Sequence, residues 1–307
     1  MTADTPDVEP DDVKSDEVAP AAKDEEGLDQ IGFTDQPSES TGASAPMISV
    51  HDLTKRTGEN HAYRDVSFTA RAGELVVLAG PEGTGKTMLL LGILGRMTFD
   101  AGGGHVAGFE LPRRARRVRE HSAVANVDAL TALDNSMTVR QHLAERIIMN
   151  RPWYLPVASR RAVDRAMDEY LDIAAHLGDR FDALSPAAME RLGLAERPDL
   201  ELRPDAYIDE LNDLQRLTVE IVLACISKTE IVGVDDVDLL RTQKDRLWAW
   251  LLLLQLSSLR QDFSVPTTTL IATCQETTEL QQLLDAFADE ADDFAPVQQV
   301  LLPGKET

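Results

Sequence analysis

The feature that most constrains the fold of this chain is a glycine-rich stretch at residues 80–87. Its letters, GPEGTGKT, fit the phosphate-loop pattern G-x-x-x-x-G-K-[ST]. An apolar run at residues 74–79 predicts a buried strand before the loop, and residues 88–94 predict a helix after it. An ordinary glycine turn can match the pattern by chance, but it does not require a strand and a helix in register. The combination predicts a nucleotide-binding loop, with ATP as the ligand.

Each part of this loop has a physical reason to contact a nucleotide. Glycines leave room for backbone N–H groups to surround a phosphate, and the start of a helix favours negative charge. Lys86 is predicted to reach the β- and γ-phosphates, and the Thr87 hydroxyl is predicted to bind Mg²⁺. The full set of predicted nucleotide contacts is Gly80, Pro81, Glu82, Gly83, Thr84, Gly85, Lys86, Thr87 and Met88.

Composition and charge narrow the class of protein. The 307 residues are 43% hydrophobic, which is enough for one large domain or two modest ones. Cys225 and Cys274 lie far apart in apolar surroundings, which gives neither a disulfide framework nor a zinc spacing, so we expect a reducing cytoplasm. The net charge of −23 argues against nucleic acid as a partner. An acidic start and the lack of a long apolar run predict a soluble chain without a signal peptide.

The chain divides into an acidic tail and a folded part. Residues 1–45 hold thirteen Asp or Glu against two lysines, so this tail is predicted to be disordered. Its one apolar cluster, at residues 28–33, is either a chance cluster or a short docking motif. Residues 46–307 show strands first, then helical spacing over about 138–226, then alternating strands and helices. This order predicts an α/β fold, with a mixed-sheet P-loop core and an inserted helical subdomain.

Four local predictions bear on the site. Residues 101–104 are predicted to form a tight turn, residues 122–127 a buried strand, and residues 208–226 a single long helix. Residues 231–234 are predicted to form a continuous apolar strand that ends in two acidic residues, Asp235 and Asp236.

In its motifs and their approximate spacing, the stretch 47–307 resembles the ATP-binding cassette of ABC transporters. Only the phosphate loop is specific by itself, and the other motifs are convincing as an ordered set. Those motifs lie at residues 48–53, 65–68, 72–74, 103–104 with Gly108, 137–140 and 211–216, and at the acidic pair Asp235 and Asp236.

The resemblance implies a nucleotide-binding subunit that dimerises head to tail around two ATP molecules. Each ATP would be held by the phosphate loop of one subunit and the signature loop, at residues 211–216, of the other. It implies a homodimer, or a heterodimer with another ATP-binding subunit, and a transmembrane permease subunit that uses closure and opening of the dimer. Such a subunit is expected in the cytoplasm, peripheral at the inner face of the cell membrane. Thr87 and Asp235 are implied as Mg²⁺ ligands and Asp236 as the catalytic base.

The acidic pair departs from the family pattern. The family normally carries a glutamate where this chain has Asp236. One methylene fewer withdraws the carboxylate by about 1 Å, and a misplacement of about 1 Å can cost roughly 100-fold in rate. Asp236 is therefore a doubtful base, and the alternative role for the pair is a helix cap at the strand end.

The signature loop departs further. Where the family has Ser-Gly-Gly, this chain has Asn212, Asp213 and Leu214. Asn212 can still donate a hydrogen bond. Asp213 would bring a negative charge near a polyanion, at about 4 kcal/mol per charge pair for a separation of about 4 Å and an effective dielectric of about 20. Leu214 has a side chain where a close backbone approach needs none. We expect a poor γ-phosphate clamp.

Three further family positions are altered. The glutamine that senses Mg²⁺ is expected near Asp128 and Ala129, and neither is a glutamine. The histidine that contacts the γ-phosphate is replaced by Cys274, whose thiol is a weak donor. Thr57 stands where an aromatic residue stacks on adenine, and Tyr63 is a candidate replacement.

Two hypotheses for the function follow. In the first, the chain is the ATP-binding subunit of an ABC-type membrane transporter and couples MgATP binding and slow hydrolysis to a membrane partner. In the second, it is a regulatory subunit of a membrane complex that binds ATP without hydrolysing it. A soluble phosphate-loop enzyme is a third possibility, but the sequence offers no residues for its substrate pocket.

Overall fold

The computed structural model describes residues 45–149, 159–200, 203–226, 229–259 and 268–304. The tail predicted to be disordered lies outside the described residues, apart from Ala45. The helical subdomain predicted at about 138–226 is described except at residues 150–158 and 201–202.

Nine strands and nine α-helices occur in these ranges. The strands are β1 (Ile48–Thr57), β2 (Asn60–Ala70), β3 (Leu75–Ala79), β4 (Ala101–Val106), β5 (Phe109–Leu111), β6 (Ser122–Ala125), β7 (Ile231–Val234), β8 (Thr269–Cys274) and β9 (Val297–Leu301). The helices are α1 (Lys86–Ile93), α2 (Ala115–Glu120), α3 (Asp128–Thr131), α4 (Val139–Met149), α5 (Arg160–Ala183), α6 (Pro186–Arg191), α7 (Asp213–Cys225), α8 (Gln243–Leu259) and α9 (Thr278–Ala286). Short 3-10 turns span Ile208–Glu210, Val237–Leu239 and Ala288–Asp293.

The strands form two sheets, as expected for an α/β fold. An antiparallel sheet has the order β2-β1-β4-β5, and a parallel sheet has the order β6-β7-β8-β3-β9. The carboxyl ends of parallel strands lie along one edge of a sheet, where α/β proteins bind ligands. The phosphate loop follows β3, Asn126 follows β6 and Asp235 follows β7. The topology therefore gathers these residues at one edge.

The parallel sheet is buried on both faces. Along β3, Leu75 and Val77 belong to a core that includes α7, α8 and α9, whereas Val76 and Leu78 belong to a core with α1 and the antiparallel sheet. This alternation follows from the period of two residues along a strand. Burial on both faces also explains why β3 and β7 are continuous apolar runs in the sequence.

A glycine lets the helix after the phosphate loop pack against β7. A Cβ at Gly233 would lie 2.5 Å from Leu94 Cδ1 and 2.8 Å from Leu90 Cδ1. No larger residue fits there without moving these leucines. The close packing holds α1 against the strand that leads to Asp235.

The tight turn predicted at residues 101–104 is wrong, because this stretch belongs to β4. A Cβ at Gly104 would overlap the carbonyl oxygen of Ser49, and one at Gly102 would overlap that of Asp52. The glycines therefore allow β4 to approach β1 closely instead of reversing the chain.

Two predicted boundaries are also corrected. The strand predicted at residues 122–127 ends at Ala125, because Asn126 has a φ of 57° and leaves the extended conformation. The helix predicted at residues 208–226 is a 3-10 turn followed by α7. It is interrupted at Asn212, whose side-chain oxygen accepts from the N–H of Gln215 at 2.8 Å while the Gln215 side chain accepts from the N–H of Asn212 at 3.0 Å. This reciprocal capping box starts a new helix.

The helical part packs against α8 through the amphipathic helix α5. Phe181 of α5 meets Trp248 of α8 edge to face, with ring centroids 5.4 Å apart. Met167, Tyr170 and Leu177 lie on the same buried side of α5. In the part of the chain that the structure describes, no helix has both the length and the apolarity needed to cross a bilayer.

Candidate functional site

The phosphate loop joins β3 to α1. Gly83 and Gly85 both have φ of 79°, in the left-handed region that favours glycine. Gly85 is the N-cap of α1, and a Cβ there would lie 2.8 Å from the carbonyl oxygen of Ala62 on β2. A Cβ at Gly83 would meet no atom within 4 Å. The loop is thus tight at its base and open at its apex, which is the shape that a phosphate cradle requires.

The cation of the loop lies against the loop itself. Lys86 is 6% exposed, and its ammonium donates to the carbonyl oxygens of Gly80 at 2.8 Å and Pro81 at 3.1 Å. Both acceptors are neutral. A phosphate at the open apex would offer the ammonium an anionic acceptor, which adds an attraction between opposite charges to the hydrogen bond.

Asp235 lies directly after β7 and is buried. Its carboxylate oxygen Oδ1 accepts a hydrogen bond of 2.6 Å from the Thr273 hydroxyl on β8. Its carbonyl oxygen accepts one of 2.6 Å from the Asn126 side-chain amide, which follows β6. Neighbouring strands on both sides therefore hold this residue at the sheet edge.

Asp236 has a strained backbone and faces the phosphate loop. Its φ of 43° and ψ of 64° are left-handed, which is uncommon for a residue other than glycine. Burial and then the carboxylate of Asp235 raise the pKa of Asp236, while the charge of Lys86 lowers it in part. Asp236 begins the 3-10 turn Val237–Leu239 but makes no side-chain capping bond, so the geometry does not favour the helix-cap role.

The end of β8 differs from the family pattern in its chemistry. Burial and then the charge of Asp238 raise the pKa of the Cys274 thiol to about 12, so the thiol stays protonated and neutral. The Asp238 carboxylate accepts a hydrogen bond from the backbone N–H of Gln275. The backbone N–H of Gly80 donates to the Cys274 carbonyl oxygen at 3.2 Å. The end of β8 thus connects the phosphate loop to the segment after Asp236.

Polar side chains of the signature loop are bonded to other groups of the same chain. The Asn212 side-chain oxygen and the Gln215 side-chain oxygen are both engaged in the capping box. The exposed Asp213 carboxylate forms an ion pair of 3.4 Å with Arg241, which belongs to the segment after Asp236. Leu214 is buried in the core, so its side chain does not project from the exposed face of the loop.

Asn126 is a site residue that the sequence did not reveal, as is Thr273. Asp128 and Ala129, the positions near which the family's glutamine is expected, lie in α3 beyond the end of β6. Asn126 occupies the strand end instead, and its amide donates to the carbonyl oxygens of Asp235 at 2.6 Å and Asp236 at 3.4 Å. The signal in the sequence is an asparagine directly after an apolar strand, a residue type that tolerates left-handed backbone.

A cavity of about 480 Å³ lies beside the phosphate loop. It is lined by residues 59–64, Val66, Thr84 and residues 302–304. Tyr63 is only 5% exposed and packs in the core, and burial followed by the charge of Asp100 raises its pKa to about 12. Tyr63 lines this cavity, but its burial leaves little of the ring accessible to a base. His61 also lines the cavity and is half-buried, so its ring is the more accessible of the two.

The donor atoms at the site suit a magnesium–phosphate ligand better than a metal ion alone. Among the described residues, no three His, Cys, Asp or Glu side chains are grouped as a metal site. Mg²⁺ typically takes one or two protein oxygens and completes its shell with water and phosphate oxygens. The carboxylate of Asp235 and the hydroxyl of Thr87, in the first turn of α1, are oxygen donors of that kind.

Comparison with known proteins gives a consistent picture. The family model "ABC transporter" matches residues 63–237. A Nod factor export ATP-binding protein I from Ralstonia nicotianae is 34% identical over 152 residues, which cover 50% of this chain and 46% of that protein. Its counterpart from Rhizobium meliloti is 31% identical over 170 residues, covering 55% and 49%. This chain thus matches about half the length of these curated relatives.

Solved structures share the fold at low sequence identity. The cbiO1 protein of Clostridium perfringens, part of the ABC transporter complex cbiONQ, superposes with a TM-score of 0.55 at 14% identity, covering 78% of this chain and 82% of that one. The dimeric cassette MJ0796, a bacterial ABC transporter cassette, has a TM-score of 0.54 at 16% identity and covers 84% and 94%. At such identities the likeness establishes the fold alone.

The family model spans more than half of the chain, and the matched stretch contains the phosphate loop, the capped loop before α7 and both acidic residues after β7. This chain therefore belongs to the ABC transporter family.

Proposed function

We propose that this chain is the ATP-binding subunit of an ABC-type membrane transporter and couples MgATP binding and slow hydrolysis to a transmembrane permease subunit. The observation that carries the proposal is the open apex of the phosphate loop, with the buried Lys86 ammonium beneath it and Asp236 close enough to be influenced by its charge. The similarity of this chain to Nod factor export ATP-binding proteins supports it.

Different residues of the phosphate loop bind different parts of MgATP. The N–H groups at Gly83–Lys86 surround phosphate oxygens, and Lys86 moves its hydrogen bonds from the Gly80 and Pro81 carbonyls to the ligand. Thr87 and Asp235 hold Mg²⁺, which when bound neutralises charge on the phosphates. Glu82 precedes these residues and Met88 follows Thr87, and both are also predicted to contact the nucleotide.

The adenine base lies in the cavity beside Thr84, with the His61 ring against it. Stacking on an aromatic face is worth about 1–3 kcal/mol per base. The half-buried His61 lines this cavity, and the buried Tyr63 ring is committed to the core.

Hydrolysis is slow because the base and its surroundings depart from an efficient arrangement. Asp236 accepts a proton from the attacking water, and its raised pKa makes it a stronger acceptor than an ordinary aspartate. Its short side chain and left-handed backbone set the carboxylate back from the water. The neutral, buried Cys274 thiol adds no charge to this step.

The chain acts in a dimer, either with itself or with another ATP-binding subunit. Its residues 46–307 form the ATP-binding domain, with a helical subdomain at about 138–226, and the acidic tail at residues 1–45 precedes that domain in the sequence. The dimer sits at the inner face of the cell membrane through the permease subunit. Dimeric cassettes among the similar structures support the assembly.

A regulatory subunit that binds ATP without hydrolysing it is the second candidate. The observation that favours it is the state of the signature loop, where the capping box engages Asn212 and Gln215 and an ion pair engages Asp213. Because the capping box engages the N–H groups of Asn212 and Gln215, fewer donors remain for the phosphate of a partner subunit.

Phosphate release separates the candidates. The tagged chain is purified from detergent-solubilised membranes of its native cells, and wild type is compared with Lys86→Ala and with Lys244→Ala, a lysine exposed on α8. The transporter proposal predicts a co-purifying membrane protein and turnover that Lys86→Ala abolishes and Lys244→Ala keeps. Absent turnover with that protein still bound would favour the regulatory subunit. A chain that never enters the membrane fraction would contradict both.

A further inference from the structure

Thr273 belongs to β8 and contacts both acidic residues of the site. It is fully buried, one residue before the end of its strand. Its hydroxyl donates to Oδ1 of Asp235 at 2.6 Å and accepts from the backbone N–H of Asp236 at 2.8 Å. One hydroxyl therefore fixes the side chain of the first acidic residue and the backbone of the second.

The first of these bonds fixes how Asp235 presents its carboxylate. A hydroxyl has one proton, and here Oδ1 of Asp235 receives it. With that oxygen held from the β8 side, rotation of the carboxylate is restricted, and Oδ2 is the oxygen left to face a cation or its water. A hydroxyl that bonds a metal-ligating carboxylate fixes the orientation of that ligand, and mutation of such a partner typically costs about 10–100-fold in metal affinity.

The second bond fixes the backbone at Asp236. This residue has a left-handed φ of 43°, which a non-glycine residue adopts only where its surroundings impose it. The surroundings here are two side chains on opposite sides. Thr273 holds the N–H of Asp236, and Asn126 donates to the carbonyl oxygens of Asp235 and Asp236.

We propose that Thr273 is a positioning residue for the Mg²⁺ site, which orients the Asp235 carboxylate toward the cation and holds the backbone of Asp236 beside it. The inference rests on the proposed function, because it concerns the same MgATP site. It adds that the end of β8 contributes through a threonine hydroxyl, next to a cysteine that stays neutral.

The test compares ATP affinity with Mg²⁺ and with EDTA in three variants of the full chain. Thr273→Val keeps the shape and removes the hydroxyl, and Thr273→Ser keeps the hydroxyl. Thr268→Val is the matched control, because Thr268 is also buried beside β8 and its hydroxyl has no hydrogen-bond partner among the described residues. Circular dichroism and urea unfolding check that each variant is folded. Thr273→Ala also removes the hydroxyl without added bulk, and it replaces the valine variant if valine disturbs the strand.

The proposal predicts a Mg²⁺-specific loss. Thr273→Val should weaken MgATP binding by about 10-fold and leave ATP binding in EDTA within about twofold, because the hydroxyl acts through a carboxylate that holds no cation when Mg²⁺ is removed. Thr273→Ser and Thr268→Val should match wild type in both conditions. Equal weakening with Mg²⁺ and with EDTA, no weakening at all, or failure of Thr273→Ser to restore binding would overturn the inference. A wild-type chain that binds no ATP would instead overturn the proposed function.

Discussion

The Lys86 ammonium lies 2.8 Å from the carbonyl oxygen of Gly80, so the cation of the phosphate loop is bonded to the first residue of the same loop. The backbone N–H of Gly80 donates to the carbonyl oxygen of Cys274, at the end of the neighbouring strand β8. The loop is therefore pre-formed by bonds between its own groups and the sheet edge. We therefore expect phosphate binding to change the acceptor of Lys86 and to leave the bond between Gly80 and Cys274 intact.

Two glycines with the same φ separate backbone strain from steric overlap. Alanine at Gly83 is disfavoured only by its left-handed backbone, which costs about 1–2 kcal/mol. Alanine at Gly85 has the same φ and also places Cβ 2.8 Å from the Ala62 carbonyl oxygen. Urea unfolding should therefore show a larger loss of stability for Gly85→Ala than for Gly83→Ala. Equal losses of stability would mean that the Ala62 backbone moves away from the added Cβ at no cost in free energy.

Stacking of the base on His61 can be tested with one variant, and a second variant tests the role of the Tyr63 hydroxyl. His61→Ala should weaken ATP binding by about 10-fold, because stacking on a base is worth about 1–3 kcal/mol. Tyr63→Phe should leave ATP affinity unchanged, and it should not reduce stability, because the buried Tyr63 hydroxyl lacks a partner among the described residues. Isothermal titration and urea unfolding measure the two quantities. Unchanged ATP affinity in a folded His61→Ala variant would contradict stacking of the base on His61.

Sequence and structure agree where the information is local. The phosphate loop, the apolar strand before it and the strand that ends at Asp235 are each encoded within a few neighbouring residues. The capping box at Asn212 and Gln215 is local too, but helical spacing on both sides of it conceals the break.

Long-range contacts could not be predicted from one sequence. Asn126 is 109 residues from Asp235, and Thr273 is 38 residues from it. The local sequence pattern predicts neither hydrogen bond. Both depend on the strand order, which places β6 and β8 on the two sides of β7. The inward orientation of Leu214 has the same origin, since it depends on which face of α7 meets the core.

A buried carboxyl on α7 predicts a specific pH dependence. Burial raises the pKa of Glu220 above its ordinary value of 4.5, although hydrogen bonds from the Asn126 N–H and the Thr131 hydroxyl oppose the shift. A raised pKa in the folded state means that the stabilising contribution is complete below about pH 4.5 and declines as pH rises through the raised value.

Glu220→Gln should therefore gain stability relative to wild type as pH rises, because glutamine does not ionise. Urea unfolding of both proteins at pH 5 and pH 7.5 measures the difference, with all other titrating groups held in common. The difference should favour the glutamine variant more at pH 7.5. A constant difference across this range would contradict the direction of the shift at Glu220.

The ion pair between Asp213 and Arg241 should contribute little to stability. The two side chains are 58% and 86% exposed, and exposed pairs are worth about 0–1 kcal/mol. A double-mutant cycle with Asp213→Ala and Arg241→Ala should give a coupling energy below about 1 kcal/mol. A coupling of several kcal/mol would contradict this prediction and would show that the ion pair fixes the signature loop to the segment after Asp236.

The central claim is that the loop around Lys86 is an ATP site, and isothermal titration of the purified chain with MgATP tests it most directly. Wild type and Lys244→Ala should bind alike, and Lys86→Ala should bind at least about 10-fold more weakly, because hydrogen bonds to charged groups are worth about 1.5–3 kcal/mol. Unchanged binding in a folded Lys86→Ala variant, or no binding by wild type, would contradict the account.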